Sequence, residues 1–551
     1  MKPLFKKIIF VSNSFLNDNN KDKIETFCDK ILIRENTGYD FAAWKHAIYE
    51  EGWEILGKFD SLTLMNDTCF GPLFDMRIIY NKMESGTTDF WGLTNHPKMK
   101  LVLSEKEAMI DEHIQSYFMS FKSSIVISSI FKNFWESIID KNEVSFVIIN
   151  YESQLTGILS KAGFKYNVLL DSVKENSSSY KLSTFTNTYK LVQIGIPFVK
   201  VKSFLFSKNP IFLKKVISQY SNYNIELIDN YFNENFTPNV SVGISNKTFI
   251  CGLNKTTNYK FSLKVAIHFH VFYIDIFEIY ISFLIDNSIN FDLFITTDTE
   301  VKKNQIIELF EIKSKSHLLK EILVFENRGR DVLPWLQIAD KLNTYDLVAH
   351  FHTKKTITAD EWIGASWMKE IVDSLLHPMS DIIQLFEDEK KLGIVIPDIP
   401  VFYKKIYGVD MWNKTKILFN ELWIRMNCNK KINLKEISTP IMPYGTMFWY
   451  RPAALNPLFN LKLSQVDFPL EPLSNDGSIA HAIESILVYV AWDQGYNFKV
   501  VINNDYVLTG FDNTMYAELI AEKNQLFRSI TWRTGRLFTW IPGKIIKLLK
   551  K

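Results

Sequence analysis

Glu35-Asn36-Thr37-Gly38-Tyr39-Asp40-Phe41-Ala42-Ala43-Trp44 returns 291 residues later as Glu326-Asn327-Arg328-Gly329-Arg330-Asp331-Val332-Leu333-Pro334-Trp335, with five positions identical. The surroundings of the two copies also agree. Each follows an apolar, strand-like run (Lys30 to Ile33; Ile322 to Phe325) and precedes a stretch of helical character. Each helical stretch leads to a second apolar run, Phe59 to Asp67 in one copy and Tyr345 to Thr353 in the other. Strand, glycine turn, helix and strand in that order, given twice, predict an α/β fold. The glycine supplies a positive φ, and the Asp is expected to cap the next helix through its free N–H groups. The same helix start is a place where a phosphate or a sugar hydroxyl can be held.

The chain has 551 residues, more than one hydrophobic core absorbs, so at least two domains are expected. With 47% hydrophobic and 23% charged residues it has the composition of a folded globular protein. Its 43 Phe and 23 Tyr predict an aromatic core. Lys plus Arg number 63 against 61 Asp plus Glu, a balance that argues against nucleic acid as partner. The four cysteines, Cys28, Cys69, Cys251 and Cys428, are far apart and suit a reducing cytoplasm. MKPLFKKIIFVSN is not read as a signal peptide, and Val265 to Ile285 is interrupted by His268, His270, Asp275 and Glu278, so no transmembrane helix is expected.

The motifs shared with known proteins extend beyond the repeat. In the first half they are Arg34 to Phe41, Leu64-Met65-Asn66-Asp67-Thr68 to Pro72, Phe90-Trp91-Gly92, His113 to Phe118, Tyr151-Glu152 and Gly163-Phe164. In the second they are Glu326 to Asp331, His352-Thr353-Lys354-Lys355, Pro443 to Pro452 and Asp476-Gly477 to Glu484. With these the sequence resembles the rhamnan synthesis protein F family of bacterial surface polysaccharide assembly and, more broadly, GT-A glycosyltransferases. The resemblance implies two GT-A-like domains and transfer from a nucleotide-sugar, dTDP-L-rhamnose by family, to a lipid-linked or polysaccharide acceptor with inversion. The boundaries read as a truncated domain over 1–171, a partly helical connector over 172–260, a glycosyltransferase domain over 261–515 and a basic tail over 516–551. The first copy starts at Ile8 to Asn13, which aligns with the later Phe291 to Asp298 strand, so its opening strand and helix are read as missing.

Such a transfer needs a group to neutralise the leaving diphosphate and a base for the acceptor hydroxyl. Asn36, Gly38, Asp40 and Asn66 in the first half, and Asn327, Gly329, Asp331, His352, Lys354 and Lys355 in the second, are the candidate donor-binding residues. Asp67, at a strand end, is the candidate ligand for Mg²⁺ or Mn²⁺, with an Asx turn before Gly71-Pro72 as the competing reading. In the second half a basic turn stands where the acidic pair would be. As base, the resemblance points to Asp476 at a helix start, with His481 and Glu484, three residues apart on one helix face, to assist or replace it, and Glu152 in the comparable place of the first half. Asp476 reads equally well as a helix N-cap, with His481 and Glu484 bonded to each other in the core.

From Arg528 to Lys551 there are seven basic residues and no acidic one, interleaved with Trp532, Trp540 and aliphatic residues. This suits peripheral contact with an anionic membrane at the inner face of the cell, or a packed terminal helix. The alternative to an enzyme is a glycan-binding or assembly scaffold of the same pathway.

Overall fold

The computed structural model describes residues 2–504, apart from 104–105, 173–183, 186, 253–260, 286–288, 314–315, 356–366, 400–411 and 474–476. Asp476 and the basic tail therefore lie outside the described residues. The chain divides into two compact units, Met1–Asn230 and Tyr231–Lys551. The segment read as a connector is thus shared: its helices Thr188–Gln193, Val201–Phe206 and Pro210–Tyr220 fall in the first unit and α2 (Pro238–Ile244) in the second.

In the first unit β1 (Ile9–Ser12) and β2 (Lys30–Ile33) form a parallel pair. A second sheet contains β3 (Ser61–Met65), β5 (Phe90–His96), β6 (Phe118–Lys122) and β7 (Tyr166–Leu170) in the order β7-β5-β6-β3. Between β3 and β5 the short β4 (Cys69–Phe70) pairs antiparallel with β8 (Val199–Lys200). The helix after the repeat motif, α1 (Tyr39–Glu51), buries Phe41, Trp44 and Ile48. Phe41 stacks on Trp135 with ring centroids 5.9 Å apart, at the centre of the aromatic core that the composition predicts.

The second unit has one sheet of eight strands. They are β9 (Thr248–Cys251), β10 (Val265–His270), β11 (Asp292–Thr297), β12 (Leu319–Val324), β13 (Leu347–His352), β14 (Leu392–Pro397), β15 (Phe448–Tyr450) and β16 (Asn497–Asn503). Their order is β9-β16-β14-β15-β13-β10-β11-β12. Every residue of β10, β13, β14 and β15 is buried, as expected of strands covered on both faces. Alternate residues feed two cores: Ala266, Val348 and Phe448 pack with Trp335 and the helix Ile479–Asp493, whereas Ile267, Phe269 and Ala349 pack on the opposite side.

The two sheets share one plan. β7-β5-β6-β3 matches β16-β14-β15-β13 in order and in the direction of every pairing, and β1-β2 matches β11-β12. Among the described residues β10, which joins β13 to β11 in the second unit, and the edge strand β9, which pairs with β16, have no counterpart in the first. The expected loss of the opening strand is therefore what splits the first unit's strands into two sheets.

The repeat motif fixes the turn in both units. Gly38 and Gly329 have φ of +67°, and the residues after them, Tyr39 and Arg330, have φ of +53° and +54°. A Cβ at Gly329 would lie 2.6 Å from Phe468 Cδ1 and 2.8 Å from Leu333 Cβ, while one at Gly495, φ +78°, would meet nothing within 4 Å. Gly329→Ala should accordingly destabilise the second unit by roughly 2–4 kcal/mol and Gly495→Ala by about 1 kcal/mol. Urea unfolding of the two variants checks this, and equal losses would remove the packing argument.

Candidate functional site

The turn delivers Asp331 at the start of α3 (Val332–Gln337), but its carboxylate does not cap that helix. This corrects the expected cap. The side chain faces the ends of the central strands, with Oδ2 3.4 Å from His350 Nε2 and 3.9 Å from His352 Nε2. Asp40, the matching residue, also leaves its helix uncapped and accepts from Asn66 Nδ2 at 2.9 Å. Asn66 occupies the strand-end place that His352 holds in the second unit. In both units, then, the motif carboxylate reaches across to the strand that follows it.

Behind Asp331 lies a line of buried imidazoles. β10 and β13 pair in register, His268 beside His350 and His270 beside His352, so period-two spacing puts all four rings on one face. His270 Nδ1 and His268 Nε2 are each 2.9 Å from Thr296 Oγ1, and His268 Nδ1 is 2.9 Å from His350 Nδ1. Trp335 stacks on His350 with centroids 5.2 Å apart. One proton arrangement satisfies every contact with neutral rings. His270 Nδ1–H donates to Thr296 and the Thr296 hydroxyl to His268. His268 Nδ1–H then donates to His350, and His350 Nε2–H to Asp331. Burial drives His268 and His350 below the ordinary histidine range and His270 to about 4. Burial pushes Asp331 the other way, but His352, His350 and His270 facing it outweigh burial, so the carboxylate stays ionised.

His352 Nε2 donates to the Gly445 carbonyl at 2.6 Å. Gly445 and Thr446 lead into β15 with φ of +88° and +54°, and their N–H groups donate to Glu484 Oε1 at 2.6 and 3.1 Å. Glu484 projects from α4 (Ile479–Asp493). Burial raises it to about 7 against the lowering effects of Lys354 and the two N–H groups. Lys354, half-buried with Nζ 4.0 Å from the centroid of the Trp367 ring, is shifted down by burial and held up chiefly by Glu484. Lys355 points away and pairs with Asp275 at 2.5 Å on the surface. Of the two candidate lysines only Lys354 joins the site. His481 takes part in a capping box with Ser478, whose Oγ lies 2.7 Å from His481 Nδ1. The N-cap is therefore Ser478 and not Asp476. Asn327 and Asn36 are exposed on their turns.

The first unit repeats the carboxylate on the strand entry. Glu152 Oε1 accepts from Ser116 N–H at 3.1 Å and Ser116 Oγ at 2.8 Å, just before β6. Glu152 and Glu484 each stand eleven residues before a glycine, Gly163 and Gly495, so they are each other's counterparts. Asp67 is exposed, and both ends of its neighbour's amide are engaged, Asn66 Nδ2 with Asp40 and Oδ1 with Thr68 Oγ1 at 2.6 Å. Among the described residues no group of three or more His, Cys, Asp or Glu is disposed to hold a metal ion, and in the second unit the matching place is cationic. The residues at these strand ends do not make a cation site by themselves.

Sequence reasoning missed His350, Thr296 and Lys200, and it treated His268 and His270 only as interruptions of an apolar run. The alternation of His on two adjacent parallel strands was the available signal. Among the described residues no helix is long and apolar enough to cross a membrane.

Comparison with known proteins adds the following. A family model described as rhamnan synthesis protein F matches residues 8–496. WxcX of Xanthomonas campestris pv. campestris, described as uncharacterized, is 27% identical over 239 residues, 42% of this chain and 32% of that protein. Virulence protein VirA of Vibrio anguillarum is 30% identical over 145 residues, 26% of this chain and 42% of VirA. This chain thus spans under half the length of the curated relatives it matches. Mannosyltransferase PcManGT of Pyrobaculum calidifontis, solved with GDP-Man and Mn²⁺, aligns over 46% of this chain and 58% of its own at 11% identity, with a TM-score of 0.24.

The histidine line makes the second unit acid-sensitive. A ring kept neutral by the fold takes up a proton only in the unfolded chain, so its contribution is full above about pH 6.5 and lost as pH falls toward the folded value. For His270, shifted to about 4, that loss is about 3 kcal/mol. Urea unfolding from pH 7 to pH 4.5 should show the decline, and His270→Gln should flatten it by about one proton. An unchanged slope in that variant would contradict the buried neutral ring.

Proposed function

The chain belongs to the rhamnan synthesis protein F family, and from that premise we propose that its second unit is a glycosyltransferase of surface polysaccharide synthesis. The observation that carries the reading is the placing of Glu484 at the strand ends, its Oε1 held by the Gly445 and Thr446 N–H groups, with burial raising it to about 7 and Lys354 the chief charge acting on it. This carboxyl and ammonium supply two of the groups that the transfer requires.

In this reading the donor is a nucleotide-sugar, dTDP-L-rhamnose by family, and the acceptor is a lipid-linked or growing glycan. Glu484 takes the proton of the acceptor hydroxyl as its oxygen attacks the anomeric carbon. The bond from that carbon to the diphosphate breaks with its electron pair on the departing oxygen. Lys354, with Arg330 acting on it from nearby, neutralises the charge that develops there. Attack opposite the leaving group inverts the anomeric centre. The neutral histidine line holds Asp331 in one orientation against the site and takes no part in bond making. No step uses a metal ion.

Glu484→Gln retains an oxygen for the Gly445 and Thr446 N–H groups, so the fold should persist while transfer falls by about 10²-fold or more. In the unaltered protein kcat/KM should rise with pH through about 7, where Glu484 loses its proton, and the residual activity of the variant should lack that limb. Lys354→Met should weaken donor binding by about tenfold or more. Titration calorimetry with a nucleotide-sugar panel and a product assay on a glycan acceptor read these outcomes. Full transfer by Glu484→Gln would refute the assignment of the base, and absence of binding by every donor would favour the scaffold reading.

A further inference from the structure

The first unit also has an ammonium at its strand-end cluster, delivered by a different part of the chain. In the second unit Lys354 comes two residues after β13, where the first unit has Thr68. There the strand β8 lies antiparallel on β4, with Lys200 opposite Cys69 and Val201 N–H bonded to the Thr68 carbonyl at 2.8 Å. Lys200 Nζ sits 4.8 Å from the centroid of the Tyr117 ring. Tyr117 follows Ser116, which holds Glu152, and its carbonyl accepts from Asn66 N–H at 3.5 Å. Asp40 is bonded to that same Asn66. Lys200 and Asn66 thus meet at Tyr117, Glu152 is bonded to the residue before it and Asp40 to Asn66, with Asp67 and Glu152 acting electrostatically on Asp40 and His96 close enough to feel both Glu152 and Lys200. Asp40, Asn66, His96, Glu152 and Lys200 are half-buried and Asp67 is exposed, so the cluster is reachable from solvent.

Its chemistry differs from that of the second unit. Glu152 acts on Lys200 together with Lys202, and Asp67 and Glu152 act on Asp40, so three carboxyl groups stand with two ammonium groups, whereas in the second unit Lys354 and Arg330 stand with Asp331 and Glu484. Like charges a few ångströms apart repel by several kcal/mol at protein-like dielectric, so a diphosphate is disfavoured at the first cluster. Neutral hydroxyls are not: each donates one hydrogen bond and accepts one, and this cluster offers carboxyl acceptors with Lys200 as a charged donor. The unit also lacks the β10 strand, the element that carries His268 and His270 behind the second unit's site.

We propose that the first unit binds a neutral carbohydrate chain at the Asp40, Asn66, Asp67, Glu152 and Lys200 cluster. The inference does not depend on the second unit being catalytic.

The test is titration calorimetry on the full chain with neutral trisaccharides of rhamnose, mannose, glucose and N-acetylglucosamine, and separately with dTDP-L-rhamnose with and without Mn²⁺. At least one trisaccharide should bind, and Lys200→Met and Asp67→Asn should weaken it fivefold or more while Lys354→Met leaves it unchanged. Asp67 is exposed, so Asp67→Asn keeps the test informative if Lys200→Met disturbs the β4–β8 pairing. Binding of no trisaccharide overturns the proposal, as does loss of dTDP-L-rhamnose binding in Lys200→Met or Asp67→Asn, which would make the cluster a second donor site. Trisaccharide binding without any donor binding would uphold it while removing the transferase reading.

Discussion

An ionised carboxylate enclosed at the end of a sheet dominates the second unit. Asp331 is buried, and burial alone would protonate it. It keeps its charge because His350 donates to it and because His350 is itself oriented by His268, Thr296 and His270. That line crosses β13, β10 and β11, so the register of three strands is tied to one carboxylate. A slip of one residue would turn all four imidazoles to the other core, where Ile267, Phe269 and Phe351 pack.

The first unit solves the same problem with fewer parts. Without β10 it has no imidazole line, and its motif Asp accepts one amide hydrogen bond from Asn66. The glycine turn survives unchanged down to two consecutive left-handed residues. So does the Glu that receives the strand-entry N–H. What the two units retain is the backbone path and the two carboxylates, and what they exchange is the chemistry placed around them. The ammonium shows this most plainly, since Lys354 follows its strand directly and Lys200 returns to the same kind of place through β8.

The α/β fold, the repeat and the missing strand were legible because they rest on local rules: glycine at positive φ, alternation of apolar residues and motif order. The pairing of Glu152 with Glu484 was legible too, in the equal spacing to Gly163 and Gly495. Attention to Asp476 obscured it, although Ser478 performs the capping that was expected of Asp476. Other features were not local. Nothing in the run Gly195 to Lys200 announces that its last residue will lie over Tyr117, because a two-residue strand pairing far along the chain decides it. Lys354 and Lys355 cannot be ranked from composition either; which one turns inward depends on Trp367 on one side and Asp275 on the other.

The Lys354–Glu484 couple behaves as a single unit. Burial disfavours the charge on both, and each is the chief charge that restores it to the other. Two N–H groups at 2.6 and 3.1 Å would ordinarily hold a carboxyl low, yet burial outweighs them and Lys354 and raises Glu484 to about 7. A diphosphate seated on Lys354 takes up the ammonium's field and brings negative charge of its own. Both effects raise the proton affinity of Glu484. On the proposed reading, arrival of the donor therefore strengthens the base that the acceptor will meet. The coupling follows from sharing one buried cation between a leaving group and a carboxylate, and it requires no movement of the sheet.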